Sequence, residues 1–279
     1  SKLNVVAPQG IIEKYGADCL RAYLIDSPVV KAEPLRFQEK GIVQIFRNVV
    51  SPLWNAYSFF VTYANLDHYQ PQAVLTDSSH RLDRWIISRF QTLVGDVTRH
   101  MEGSYLYAVI PELEGFIDLL TNWYIRRSRR RFWRAENDGD KVDAYNTLYY
   151  ILTEFSKVMA PFLPFICEAI YRNLVGSVSS TQKSRDGEWG SVHLCDYPKP
   201  NDALRSETIE AEMGWIREIV VLGRSLRAKY DLKIRQPLNQ ISLVANEQQK
   251  EILSRLGDIV TEELNVKNIH HVKNETELI

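Results

Sequence analysis

Apolar residues recur at helical spacing along most of this chain, and the places where the recurrence breaks divide it into elements. After an extended SKLNVVAPQG, the positions Ile11, Ile12, Tyr15, Cys19, Leu20, Tyr23 and Leu24, interrupted at Gly16, predict two short helices ending before Pro28. A connector, VVKAEPLRF, then gives way to Ile42, Ile45, Phe46, Val49, Leu53, Trp54, Tyr57 and Phe60, one broad apolar face on a helix spanning about 38–66. Pro52 removes a backbone donor inside that helix and is expected to kink or divide it.

A polar, Pro-containing loop near 70–79 precedes a second long helix, with Leu82, Trp85, Ile86, Phe90, Leu93 and Val97 on its apolar side. A third runs through Tyr107, Ile110, Leu113, Phe116, Ile117, Leu120 and Tyr124 to about Arg134, and a fourth over 142–159 collects Tyr145, Leu148, Tyr149, Leu152, Phe155 and Met159. Long amphipathic helices in succession specify a bundle. MAPFLPFICEAIYRNL adds a short helix after Pro161 and Pro164, the polar tract SVSSTQKSRDGEWGS reads as a mobile loop, and SVHLCDYP reads as a short strand. Over 207–229 one more helix is expected, packing through Ile209, Met213, Ile216, Val220, Leu222 and Leu226; then PLNQISLVA switches to period two, LSRLGDIVTEELN is helical, and VKNIHHV closes as a second strand. The expected fold is therefore mainly α, a helical bundle with a small α+β domain over 201–279. No internal repeat or long heptad run competes with it.

Length supports that division: 279 residues at roughly 150 per domain give about two domains. With 34 Lys+Arg against 35 Asp+Glu the net charge is -1, so there is no global basic field and any contact with a polyanion must be local. The hydrophobic fraction of 45% and charged fraction of 25% are those of a globular protein, and no apolar run reaches the 18 or so residues that span a bilayer. Cys19, Cys167 and Cys195 are far apart and outside any C-x-x-C pattern, which fits a reducing, cytoplasmic compartment and predicts neither a disulfide framework nor a zinc site. The N-terminus has no signal core or presequence character and no initiator Met, so the chain is expected to be a piece of a longer protein.

Motifs for autonomous catalysis are missing: there is no phosphate loop, no G-x-G-x-x-G after a strand, no H-E-x-x-H and no G-x-S-x-G. His270 and His271 are neighbours in a strand and point to opposite faces, so they cannot converge on one metal and read as surface or structural residues. Trp54, Trp85 and Trp123 sit among apolar neighbours and read as core; Asp83 and Arg84 are placed to cap and tether the second helix. The sharpest feature is NWYIRRSRRRFWRAEN. Arg127, Arg130, Arg131 and Arg134 fall at i, i+3, i+4 and i+7, a cationic stripe whose guanidinium forks suit phosphates, with Arg126 beside it and Trp133 as a stacking platform for an unpaired base. The competing reading is a solvated helix end in which these arginines complement the helix dipole and pair with carboxylates such as Glu136 and Asp138, as in a scaffold for acidic partners.

Several phrases together, IIEKYGADCLRAYLIDSPVV, NVVSPLWNAYSFF, LDRWIISRFQTL, DLLTNWYIRRSRRRFW, MAPFLPFICEAIY and SVHLCDYP, resemble the C-terminal region of isoleucyl-tRNA synthetase, a class I aminoacyl-tRNA synthetase. The G-A-D-x-L-R and D-R-W-I phrases are shared with valyl and leucyl relatives; NWYIRRSRRRFW, over 122–133, resembles the isoleucine enzyme specifically. Ser1 and Asn4 match the spacing of the last residue of the KMSKS loop, which handles ATP in that family, to a following Asn. The resemblance implies that the catalytic and editing domains lie upstream, so that the piece is inactive alone and holds no cofactor, while the parent uses ATP with Mg. It further implies stem-contact helices over 1–37, an anticodon-binding bundle over 38–200 and a junction domain over 201–279. The partner would be tRNA(Ile), the protein a monomer, and the contacts Arg126, Arg127, Arg130, Arg131, Arg134 and Trp133; a valine-specific relative would share this fold with another tRNA.

Overall fold

A computed structural model describes residues 7–70, 78–133, 139–175 and 190–272. Ser1, Arg134, Glu136, Asp138 and nearly all of the polar tract SVSSTQKSRDGEWGS lie outside them. The chain forms two compact units, 1–205 and 206–279.

The first unit is the helical bundle. Helices α1 (Pro8–Tyr15) and α2 (Ala17–Ile25) meet at Gly16, whose φ of 86° is a conformation that side-chain-bearing residues seldom adopt. The G-A-D-x-L-R phrase is the tether of this hairpin. The Asp18 carboxylate accepts from the backbone amides of Phe165 (3.2 Å) and Ile166 (2.7 Å), capping a distant helix, and Arg21 donates to the carbonyl of Pro161 at 3.0 Å.

The long helix expected over 38–66 is present as α3 (Glu39–Ile45) and α4 (Ser51–Leu66), joined by a π-helical turn, Phe46–Val50. The expected division thus falls directly before Pro52, which sits in the first turn of α4, and in the widened turn that precedes it the Ser51 amide donates to the Phe46 carbonyl. The extra residue also narrows the buried face to Ile42, Ile45, Val49, Leu53, Ala56, Tyr57 and Phe60, leaving Phe46 and Trp54 41% and 45% exposed. Trp54 is therefore not core, in contrast to Trp85 and Trp123, which are buried.

Helices α5 (Arg81–Glu102), α6 (Val109–Asp118), α7 (Arg126–Trp133), α8 (Gly139–Met159) and α9 (Pro164–Val175) complete the bundle, with a second π-helical stretch, Leu119–Ile125, between α6 and α7. All six apolar positions expected on α5 are buried, and Phe90, Phe116 and Phe155 meet at the centre with ring centroids 5.0 to 6.4 Å apart. The segment SVHLCDYP is not a strand. Val192–Leu194 is a 3₁₀ turn, because Glu168 accepts from the Val192 amide and from the Ser191 hydroxyl, both at 3.0 Å, and the Ser191 side chain caps the turn.

The second unit contains α10 (Glu207–Lys229), then β1 (Leu238–Val244), α11 (Glu247–Leu264) and β2 (Val266–Val272), a β-α-β arrangement whose strands pair in parallel from Leu238 opposite Val266 to Val244 opposite Val272. Asn246 and Gln249 form a reciprocal capping box at the start of α11. The packed line of α10 runs through Met213, Ile216, Val220, Gly223 and Arg227, where Gly223 lets Leu264 approach closely. Leu222 and Leu226, expected on that line, are 65% and 55% exposed. His270 and His271 are exposed in β2.

Candidate nucleic-acid interface

The orientation of α7 is set from inside. Tyr124, Ser128, Arg131 and Phe132 are all buried, at i, i+4, i+7 and i+8, and so form the inner stripe of the helix. The opposite side then carries Arg126, Arg129, Arg130 and Trp133, again at i, i+3, i+4 and i+7, and all four are exposed. Arg127 is half-buried between the two faces, its guanidinium 5.8 Å from the Trp123 ring centre. The cationic stripe therefore exists one residue out of phase with the line expected from charge spacing. Arg129 joins it, and Arg131 leaves it.

Arg131 points inward because a carboxylate waits there. Its guanidinium meets Asp83 bidentately, at 2.6 and 2.8 Å, and reaches Asp140 through the side chain at 2.9 Å and the carbonyl at 2.8 Å. Asp83 is fully buried and also accepts from the Tyr124 hydroxyl and the Ser78 hydroxyl, each at 2.8 Å. One carboxylate thus ties together the loop before α5, the π-helical stretch and α7. Burial is the largest single influence on Arg131 and opposes its charge, but the Asp83 hydrogen bonds together with the electrostatic fields of Tyr124, Asp83 and Asp140 outweigh it and hold the guanidinium firmly protonated. Burial, reinforced by the Asp83 charge, pushes the Tyr124 phenol well above its ordinary value. Asp83 was expected to cap and tether its helix, and it is the tether; the N-cap contact comes from His80, whose Nδ1 accepts from the Leu82 amide at 3.3 Å.

The outer end of α7 is fixed as well. Phe132 inserts between Phe59 and Tyr145, with ring centroids at 5.1 and 4.9 Å in edge-on geometry. Tyr145 stacks on Tyr69 at 4.7 Å and donates to Asp67 at 2.5 Å, while the buried Lys141 ammonium lies 2.6 Å from the same carboxylate. Trp133 remains 57% exposed, but its indole N–H donates to the Tyr63 hydroxyl at 2.7 Å, so the ring face is presented in one orientation. Arg126 is held along the helix by donating from Nε to the Asn122 carbonyl at 2.7 Å. The result is a rigid edge, about 10 Å long from Arg126 to Trp133 at helical rise, with guanidinium forks followed by an aromatic face. Such an edge can take phosphate oxygens and stack a base.

Among the described residues no cluster of three His, Cys, Asp or Glu side chains is placed to hold a metal ion, and no helix is long and apolar enough to cross a membrane. Cys19 and Cys167 are buried free thiols, and burial pushes the Cys19 thiol up to about 11.

A helical bundle that carries a cationic, aromatic edge on an internally fixed helix has the kind of surface used by nucleic-acid-binding modules. Residues 83–243, more than half of the chain, match the family described as the anticodon-binding domain of tRNA ligase, and the chain belongs to that family. It is 40% identical to the isoleucine–tRNA ligase of Treponema denticola and 44% identical to that of Chlamydia trachomatis serovar D, in each case over 99% of this chain. It spans 26% of the length of each of those relatives. Overlay on a solved LeuRS–tRNA–LeuAMS ternary complex from Agrobacterium radiobacter gives a TM-score of 0.48 at 20% identity, over 73% of this chain and 22% of that one.

Proposed function

We propose that this chain is the tRNA-binding part of an isoleucine–tRNA ligase, holding the anticodon arm of tRNA(Ile) while the rest of the enzyme attaches isoleucine with ATP and Mg in the cytoplasm. In this reading residues 1–37 are stem-contact helices, 38–200 the anticodon-binding bundle and 201–279 a junction domain, and the nucleotide is held by parts of the enzyme other than this chain. The observation that carries the reading is the outer edge of α7, where Arg126, Arg129 and Arg130 lead to Trp133 on a helix locked by the Asp83–Arg131 pair. Arg127 borders this edge. Arg131 has no part in phosphate contact, because its guanidinium is committed inside the bundle.

The test is a fluorescence-anisotropy titration with an isoleucine tRNA transcript, using anticodon-substituted and valine tRNA transcripts as competitors. Three phosphates neutralised by the edge give a log–log salt slope of about -2.1 to -2.7, so affinity falls roughly 20- to 40-fold between about 50 and 200 mM salt. Combining Arg126→Glu, Arg129→Glu and Arg130→Glu should remove most of that slope and the binding with it, at unchanged helical content. Full affinity and slope in the triple variant would refute the assignment; a preference for the valine transcript would reassign the partner.

A further inference from the structure

Helix α10 changes character halfway along. Its inner stripe, Met213, Ile216, Val220, Gly223 and Arg227, is buried. A helix packed on one side keeps polar residues on the other, and the first half does so, with Glu207 and Glu218 exposed. After Val220 the outer side is apolar instead. Val221, Leu222 and Leu226 on the helix, Tyr230 at its C-terminal cap and Ile234 in the loop that follows are between 45% and 66% exposed. Leu222, Leu226 and Tyr230 lie at i, i+4 and i+8, a ridge of the kind that packs into the groove of a second helix, and from Val221 to Tyr230 the face runs about 14 Å at helical rise. A helical segment that is apolar all round is one that is covered all round, and a contiguous exposed patch of this kind marks a contact surface.

The rim of this face is cationic. Over 221–237 the chain has five basic residues, Arg224, Arg227, Lys229, Lys233 and Arg235, and one acid, Asp231, although its overall net charge is -1. Arg224 is matched by Glu263, and Arg227 turns inward. Lys229, Lys233 and Arg235 are exposed, and none of them is ion-paired with another described residue. Their loop is held in one conformation. Arg227 donates from Nη2 to the carbonyls of Lys233 at 2.7 Å, Ile234 at 3.4 Å and Gln236, while Asn265 Nδ2 donates to the Ile234 carbonyl at 3.1 Å. The buried Arg227 guanidinium meets carbonyls only; its Nε and Nη1 have no hydrogen-bond partner and no described carboxylate pairs with it, so its charge adds to the positive field of the loop. The helix dipole accounts for Lys229 in the last turn of α10, but it fades beyond that turn and explains neither Arg235 nor the apolar ridge. We propose that 221–235 is a docking surface for a partner protein that supplies an acidic amphipathic helix, its apolar side on Leu222, Leu226 and Tyr230 and its carboxylates on Lys229, Lys233 and Arg235. RNA would satisfy the cations but leave the leucines in water; a helix with both features covers the whole face.

The experiment titrates the full chain with a fluorescein-labelled helical peptide in which leucines recur at three- and four-residue spacing on a glutamate background. In parallel it uses the same peptide with lysine for glutamate, the same peptide with serine for leucine, and a single-stranded uridine oligomer, while backbone amide resonances of 221–237 locate the binding. The leucine–glutamate peptide should shift these amides and bind at least about tenfold more tightly than each of the other three. Leu222→Ser with Leu226→Ser should weaken it by about tenfold or more, and Lys233→Glu with Arg235→Glu by about fivefold with loss of most of the salt dependence. All four side chains are exposed, so both variants should keep the helical signal of the parent chain. Equal binding of the acidic and basic peptides, tighter binding of the uridine oligomer at these residues, shifts confined to α7, full affinity in the leucine variant, or no shifts at millimolar peptide would each overturn the proposal. So would a concentration-dependent dimer that the leucine variant abolishes, because a second copy would then be the occupant. None of these results depends on the affinity of the α7 edge for tRNA, which the salt titration reads separately.

Discussion

Replacing Asp83 tests the central argument, because the bundle places this carboxylate under three side-chain donors at once. In Asp83→Leu the Arg131 guanidinium, 5% exposed, keeps its charge and loses its bidentate partner, and Asp140, one-third exposed, cannot replace it. Breaking a buried pair on one side costs about 3–5 kcal/mol, more than the pair itself is worth, because the stranded charge stays out of water. At about 2–4 °C per kcal/mol for a unit of this size, the first unit should melt roughly 6–20 °C earlier. Adding Arg131→Met to the same chain removes the stranded charge and should recover at least ~2 kcal/mol. Tyr124→Phe should then recover about another 1 kcal/mol by removing a buried hydroxyl that has lost its acceptor. Urea unfolding followed by amide exchange within 1–205 reads this unit separately from 206–279. If Asp83→Leu costs less than ~1 kcal/mol, or if Arg131→Met deepens the loss instead of relieving it, the pair is not the anchor described.

Trp133→Ala should weaken tRNA binding by about 1–3 kcal/mol, roughly 5- to 150-fold, with the salt slope unchanged, whereas Trp133→Phe should keep most of the affinity; equal binding by all three would remove the stacking role. Asp18→Ala strips the cap from the first turn of α9 and should cost about 1–2 kcal/mol in urea unfolding, with Asp18→Asn retaining part of it. Burial, then the nearby Arg131 charge, hold the His80 imidazole below its ordinary range while its Nδ1 caps α5 as an acceptor. Because the folded state resists protonation, His80 costs nothing above the unfolded value of about 6.5, and stability falls as pH drops from there toward the lowered folded value. His80→Asn keeps a capping side chain without a titration, so its unfolding free energy should vary less between pH 7 and 5 than that of the parent chain.

Local pattern alone determined a great deal here. The apolar period placed the long helices of the bundle, Gly16 and Pro28 bounded the first two, and the change to period two after Pro237 marked the strands of the second unit. These features are legible because burying one face of a helix or strand leaves a repeat in the residues that do it. The phase of a helix whose inner face is itself charged was not legible. From spacing, Arg131 belongs with Arg127 and Arg130; in the fold it belongs with Tyr124 and Phe132, because Asp83, 48 residues earlier, satisfies it inside. No local rule distinguishes an arginine that pairs at long range from one that faces water. The π-helical turns at Phe46–Val50 and Leu119–Ile125 are of the same kind: each adds one residue to a helix without disturbing its hydrophobic repeat enough to be seen, yet shifts which side chains face out. Trp54, just after the first of them, is exposed rather than core. The sequence by itself decided which segments are helices and that arginines and aromatics crowd the end of one of them. Only the tertiary structure decided which of those side chains are spent on the interior and which remain exposed, since that choice depends on desolvation and on partners far away along the chain.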